Sequence, residues 1–184
     1  IDAQLHAFVI GDSGQPKDTK YILTHVKNRV LDIVRRLTAV HPEFSLHDLR
    51  SDQLDQWKRH LSADQLSLLR GTIQNHEITL EAKQLLKNQP IDHQRLGRLL
   101  THHQEILRDI LHISTPKIDR MLEAALASGA YGGKINGSGG GGCMFAYTPN
   151  RHEEVAEAIA RVGGKASVVR IDSGTRIEVR KATV

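Results

Sequence analysis

The sequence is poor in cysteine, in aromatic residues and in long apolar runs. Among 184 residues it has one cysteine, Cys143, and 4% aromatic residues. A single cysteine excludes an internal disulfide, so we expect a reducing, cytoplasmic environment rather than a disulfide-stapled secreted module. The sequence has no run of about 18 apolar residues, and we therefore predict no membrane partner.

The sequence also has no large excess of positive or negative charge. The 25 Lys and Arg residues nearly balance the 21 Asp and Glu residues, which leaves a formal net charge of +4. The basic residues are scattered and are not interleaved with aromatic residues, so we predict no nucleic-acid partner. The 11 histidines include no H-E-x-x-H spacing, and we predict no metal ligands in this chain.

The first part of the chain has the pattern of one strand followed by helices. The apolar run from Ala7 to Ile10 stops at Gly11-Asp12-Ser13-Gly14, which is typical of a buried strand followed by a loop. Apolar residues then recur every three or four positions, which predicts amphipathic helices. The predicted helices are 18–39 with Asp18 as N-cap, a short helical connector within 44–61, 62–87 with a Ser62/Gln65 capping box, 96–110, and one that begins after Thr115 and ends at Gly129.

Beyond Gly129 the pattern changes to short strands. We predict strands over 131–135, 143–147, 168–171 and 175–179, with a helix capped by Asn150 after the second of them. This order indicates an α+β fold: a ferredoxin-like split β-α-β sheet with an inserted helical bundle. We expect one domain over 1–184, helical over about 15–128, with a sheet and a glycine loop over about 129–182.

The segment from Lys134 to Cys143 carries the most functional information. Between two predicted strands it reads Asn136-Gly137-Ser138-Gly139-Gly140-Gly141-Gly142. Glycines permit positive φ and let backbone N–H groups approach an anion or another backbone closely. The segment lacks the following helix of a dinucleotide-binding G-x-G-x-x-G loop and the G-K-[ST] of a P-loop. Its spacing alone leaves two interpretations open, an anion-binding loop and a hairpin that only turns the chain.

Together with Met144-Phe145-Ala146-Tyr147, this segment resembles the third signature motif of the GHMP small-molecule kinases, the family that includes galactokinase and mevalonate kinase. Three further stretches are similar to that family: Gly11–Gly14 with Pro16–Lys20, Leu107–Asp109 with Ser114–Asp119, and Gly174–Glu178. Leu107-Arg108-Asp109 is closer to galactokinase, whereas the stretches 11–20 and 175–178 are closer to mevalonate kinase. The branch therefore stays open, with a slight preference for a sugar.

The resemblance implies an enzyme that transfers the γ-phosphate of ATP to a hydroxyl of a small-molecule alcohol, galactose-like or mevalonate-like. It places Gly137, Ser138, Gly139, Gly140 and Gly141 at the nucleotide phosphates. Asp12, Lys134 and Asn136 are further candidates for contact with substrate or phosphate. Asp12 at a strand end is also a common turn former, and Asn136 stands where the family usually has Ser or Thr.

In this family the ATP loop, the catalytic aspartate and the Mg²⁺ ligands belong to an N-terminal domain, and no P-x-x-x-G-L-G-S-S type sequence occurs here. We therefore expect the chain to be the C-terminal part of a kinase, with its own N-terminal domain as partner, no catalytic residue of its own and no turnover alone. A homodimer is one alternative for its assembly. The competing hypothesis is a stand-alone ferredoxin-like module that binds a small anion without catalysis.

Overall fold

The computed structural model describes residues 5–17, 19–172 and 174. Within these residues the strands are β1 Ala7–Asp12, β2 Gly132–Ile135, β3 Cys143–Tyr147 and β4 Lys165–Arg170. The α-helices are α1 Thr19–Val40, α2 Ala63–Leu85, α3 His93–Asp109, α4 Pro116–Ala127 and α5 His152–Arg161, and a 3₁₀ helix spans Ser51–His60. The predicted N-cap Asp18 and the predicted strand 175–179 lie outside the described residues.

Local capping explains where several helices begin. The Ser62 side chain accepts a hydrogen bond from the Gln65 N–H at the start of α2, and the Gln65 side chain accepts one in return, so the predicted capping box is confirmed. Thr115 caps α4 in the predicted way. The prediction for α5 is wrong: its N-cap is Arg151, not Asn150, and the Arg151 N–H donates to the Thr148 hydroxyl at 3.3 Å. Thr148 thus replaces Asn150 in ordering this turn.

The four strands form one antiparallel sheet in the order β2-β3-β1-β4. The first strand of the chain lies in the middle, where Val9 is opposite Ala146 on one side and Val168 on the other. At one end of the sheet Asp12 of β1 pairs with Cys143 of β3. Because of this register, the loop after β1 and the glycine loop before β3 leave the sheet side by side.

Helices α4 and α5 pack on one face of this sheet. Val9, Ile135 and Met144 are fully buried there, together with Met121 of α4 and Ile159 of α5. The same hydrophobic core continues through Ile33 and Leu37 of α1 to Trp57 of the 3₁₀ helix. Removing these side chains from water is the main favourable contribution to folding. The prediction of an α+β fold with helices and a sheet is confirmed, and the structure shows that the sheet is antiparallel.

Helix α3 covers the edge of the sheet at β2. Two glycines allow the backbones to touch: a Cβ at Gly97 would lie 2.1 Å from the Tyr131 carbonyl oxygen, and one at Gly132 would lie 1.9 Å from the Gly97 carbonyl oxygen. Further along, the buried Gln104 side chain accepts a hydrogen bond from the Ile135 N–H at 2.9 Å. This bond satisfies an edge-strand donor that would otherwise lack a partner in the ladder.

Candidate functional site

The glycine loop, residues 136–142, connects β2 to β3. Five of its glycines, Gly137 and Gly139 to Gly142, have positive φ between 70° and 126°. Residues with a side chain adopt this region of φ only at a cost, so the glycine run is required by the shape of the loop. The loop closes with a hydrogen bond from the Asn136 N–H to the Cys143 carbonyl at 2.9 Å.

One side of the loop lies against the segment that leads into α4. The Gly140 N–H donates to the Ile113 carbonyl at 2.7 Å. A Cβ at Gly139 would lie 2.3 Å from the same oxygen, and a Cβ at Gly140 would lie 2.0 Å from the Ile22 side chain of α1. At Gly139 the loop backbone therefore approaches another backbone closely, and at Gly140 it approaches a side chain of α1.

The other side of the loop lies against residues 13–17, which follow β1. The Gly142 N–H donates to the Gln15 carbonyl at 3.0 Å, and the Gly142 carbonyl accepts from the Ser13 N–H at 2.9 Å and from the Ser13 hydroxyl at 2.6 Å. Ser13 is 1% exposed. Gln15 in turn accepts from the Thr115 hydroxyl at 2.7 Å. Two segments that are far apart in sequence, 13–17 and 113–115, thus fix one loop.

These bonds show which backbone groups of the loop are already used. The N–H groups of Asn136, Gly140 and Gly142 donate to backbone carbonyls. Four further N–H groups of the loop donate to no described residue: those of Gly137, Ser138, Gly139 and Gly141. The Ser138 hydroxyl lies 3.4 Å from the Thr19 hydroxyl in the first turn of α1. These four N–H groups and the N-terminus of a 22-residue helix therefore lie close together, an arrangement that favours an anion.

Lys134 does not extend into the loop as a free cation. It is half-buried, and its Nζ donates to the Ile135 carbonyl at 2.7 Å and lies 5.5 Å from the centre of the Phe145 ring. Burial lowers the pKa of Lys134. It also lowers the pKa of the neighbouring His103 to about 4, with the Lys134 charge as a second cause.

Asp12 and Asn136 are both exposed at the base of the site. The Asp12 carboxylate accepts a hydrogen bond from the Gly14 N–H at 2.9 Å, which is the geometry of a turn-forming aspartate. Asn136 uses its backbone in closing the loop. A contact of either side chain with substrate stays a prediction.

Sequence reasoning missed Lys17 as a site residue. This exposed lysine follows β1, and its Nζ would lie 3.2 Å from a Cβ at Gly142 and 3.7 Å from one at Gly137. The available signal was its position five residues after Asp12, in a stretch already noted for its resemblance. That signal gains meaning only once the sheet register places the stretch beside the glycine loop.

Other parts of the described chain offer less. A cavity of about 370 Å³, lined among others by His41, Phe44 and Trp57, lies at the C-terminal end of α1, the end away from the glycine loop. Over the described residues there is no cluster of three or more His, Cys, Asp or Glu side chains that could hold a metal ion. In the same part of the chain, every helix is too short or too polar to cross a bilayer.

Residues 82–165 match the family model for the C-terminal domain of GHMP kinases. This match includes the loop whose sequence resembles that family. The match ends within β4 and includes the complete glycine loop and helices α3, α4 and α5.

Individual relatives agree with this family. The mevalonate kinase of Thermococcus onnurineus is 46% identical over 85 residues, which are 46% of this chain and 25% of that protein. The galactokinase of Bos taurus is 31% identical over 100 residues, 54% of this chain and 25% of that protein. The structure of Lactococcus lactis galactokinase complexed with galactose aligns with a TM-score of 0.77 at 18% identity, over 92% of this chain and 45% of that one. The matched part is therefore a quarter of the length of these two curated relatives, and the structural likeness shows the fold.

Proposed function

We propose that the chain is the C-terminal part of an ATP-dependent kinase that transfers a phosphoryl group to a hydroxyl of a small molecule. The observation that carries this proposal is the glycine loop beside the N-terminus of α1, in which four N–H groups donate no hydrogen bond to any described residue. The relatives named above are kinases, which supports this function and gives no support to a stand-alone anion-binding module.

In this proposal the chain contributes orientation and charge stabilisation. ATP, when bound, supplies the γ-phosphate that is transferred. The amides of Gly137, Ser138, Gly139 and Gly141 would donate to phosphate oxygens, and the fixed loop would hold them in place without reorganisation. Gly140 has a different role, because its N–H anchors the loop to Ile113.

We propose that residues outside this chain supply the Mg²⁺ ligands and the catalytic carboxylate. The described residues contain no carboxylate cluster fit for the metal, and Asp12 already accepts a backbone hydrogen bond. We expect an N-terminal domain to supply both groups, and we expect the present chain alone to show no turnover.

Two acceptor alcohols are candidates. The higher sequence identity is to mevalonate kinases, at 46% against 31% for a galactokinase. Leu107-Arg108-Asp109, in contrast, is closer to galactokinase and slightly favours a galactose-like sugar. We propose both classes for direct test.

We further propose that the sheet is of the ferredoxin-like type. The strand order β2-β3-β1-β4, with antiparallel neighbours throughout, supports this assignment. In that arrangement α1 to α4 are inserted between β1 and β2, and the glycine loop is the hairpin between the second and third strands.

The test uses the protein expressed from its complete reading frame. ADP release is measured with galactose, with mevalonate and without an added alcohol, and ³¹P NMR identifies the phosphate ester. We expect ADP release to depend on one of the two alcohols. If an intact, folded protein shows no stimulation by these or related alcohols, the kinase proposal is wrong.

A further inference from the structure

Lys17 is the exposed cation whose side chain lies across the glycine loop. Its Nζ would be 3.2 Å from a Cβ at Gly142 and 3.7 Å from one at Gly137, so it reaches both ends of the loop. Over the residues that the structure describes, Lys17 forms no ion pair. Its charge is therefore available to a ligand.

Within the described residues, two charged groups near Lys17 have hydrogen-bond partners of their own. The Asp12 carboxylate is engaged with the Gly14 N–H. Lys134, the lysine within the loop motif, is half-buried and donates to the Ile135 carbonyl. Of these two lysines, only Lys17 is both exposed and next to Gly137 and Gly142 of the loop.

We propose that Lys17 contacts the phosphate groups held by the glycine loop and neutralises part of their charge. The inference rests on the proposed function, because it assumes that the loop binds phosphate. The Lys17 ammonium on one side and the loop N–H groups on the other would hold a polyphosphate between them. The ammonium would supply positive charge from a flexible side chain, and the N–H groups would supply hydrogen bonds of fixed direction.

Two variants and a control test this inference in the protein from the complete reading frame. Lys17→Met removes the charge and keeps the length of the side chain, whereas Lys17→Arg keeps the charge. The control, Lys27→Met, removes an exposed charge about 12 Å along α1 from the first residue of that helix. The readouts are kcat/KM for MgATP and, independently of turnover, calorimetric titration with inorganic tripolyphosphate.

We expect Lys17→Met to weaken tripolyphosphate binding and to lower kcat/KM for MgATP by about 10- to 100-fold, the usual effect of losing one charge-assisted hydrogen bond. Lys17→Arg should retain most of both, and Lys27→Met should match the wild type. Added salt should reduce the difference between Lys17→Met and wild type.

The outcomes separate the two proposals. If the wild type is a kinase and Lys17→Met equals it in both readouts, the inference about Lys17 is overturned and the proposed function stands. If the wild type shows no kinase activity but binds tripolyphosphate in a Lys17-dependent way, the proposed function fails and Lys17 keeps its role. If the wild type neither turns over nor binds tripolyphosphate, both are overturned.

Discussion

At the scale of single residues, Gly139 combines positive φ with a close contact to another backbone. Replacing Gly139 with Ala would strain a φ of +79° and place a Cβ 2.3 Å from the Ile113 carbonyl oxygen. Gly14 has a similar φ of +65° with nothing within 4 Å. We expect Gly14→Ala to lower the free energy of unfolding by about 1–2 kcal/mol and Gly139→Ala by about 1–3 kcal/mol more.

Chemical denaturation of both variants measures this difference. Gly14→Ala is the matched control, because it carries the cost of φ without the contact. Equal losses in the two variants would show that the loop does not lie as close to the Ile113 carbonyl as the structure places it.

His103 predicts a pH dependence of stability. Its pKa is about 4 in the folded chain against an ordinary value of 6.5, chiefly through burial and then through the charges of Lys134 and His102. As the pH falls from 6.5 to 4, the unfolded chain binds a proton at His103 that the folded chain does not bind. The free energy of unfolding therefore decreases over this range.

His103→Gln should reduce that decrease strongly. His102→Gln, at an exposed neighbour on the same helix, should reduce it only slightly, because the His102 charge is the smallest of the three causes of the lowered His103 pKa. Urea denaturation at pH 7, 5.5 and 4.5 measures the slope for each variant. The slope is the readout, because the substitution itself can change stability by a constant amount. A His103→Gln slope identical to that of the wild type would contradict the assignment.

At the scale of elements, the contact between α3 and β2 depends on a pair of glycines. Gly97→Ala would place a Cβ 2.1 Å from the Tyr131 carbonyl oxygen, so α3 would have to move away from the sheet edge. Overpacking costs about 1–3 kcal/mol, and loss of the hydrogen bond between Gln104 and Ile135 leaves a buried donor, at about 1–3 kcal/mol. We expect a net loss of about 2 kcal/mol or more, measured by thermal and urea unfolding.

Gly71→Ala in α2 is the control for this prediction. The nearest atom to its Cβ is a methyl group of Ile110 at 2.9 Å, which a side-chain rotation can move. Alanine also gains about 1 kcal/mol of helix propensity over glycine, so we expect this variant to stay within about 1 kcal/mol of the wild type. A Gly97→Ala protein as stable as Gly71→Ala would exclude the close packing of α3 on β2.

The elements themselves were largely predictable from the sequence. The spacing of apolar residues in α1 and the capping box at Ser62 are local signals, and both appear in the structure as expected. The cap of α5 was not predictable in this way, because two polar residues, Thr148 and Asn150, compete for one turn. The prediction named Asn150 as the cap, whereas the N-cap is Arg151 and its N–H donates to the Thr148 hydroxyl.

The site was predictable only in part. The glycine run identified the loop, since no other residue tolerates so many positive φ values. Lys17 and the anchoring groups Ser13, Gln15 and Ile113 come from segments distant in sequence. Their proximity follows from the pairing of β1 with β3, and a single sequence carries no local signal for the partner of a strand.

At the scale of the whole molecule, one hydrophobic core joins the sheet to the far end of α1. Trp57, the single tryptophan of the chain, is 9% exposed and belongs to the same core as Val9 and Met144. We expect one cooperative unfolding transition, in which Trp57 fluorescence shifts to the red at the same urea concentration at which far-UV circular dichroism is lost. Two separated transitions would show that the helical part and the sheet unfold independently.

The position of β1 in the middle of the sheet also has a consequence for synthesis on the ribosome. Gly142, the hydrogen-bond partner of Ser13, is synthesised 129 positions later. At a translation rate of about 5–20 residues per second this interval is on the order of 10 s. During that time β1 has neither of its neighbours β3 and β4. The chain therefore makes residues 13–17, which hold one side of the glycine loop, long before the loop itself, and the two can pair only after Gly142 has been synthesised.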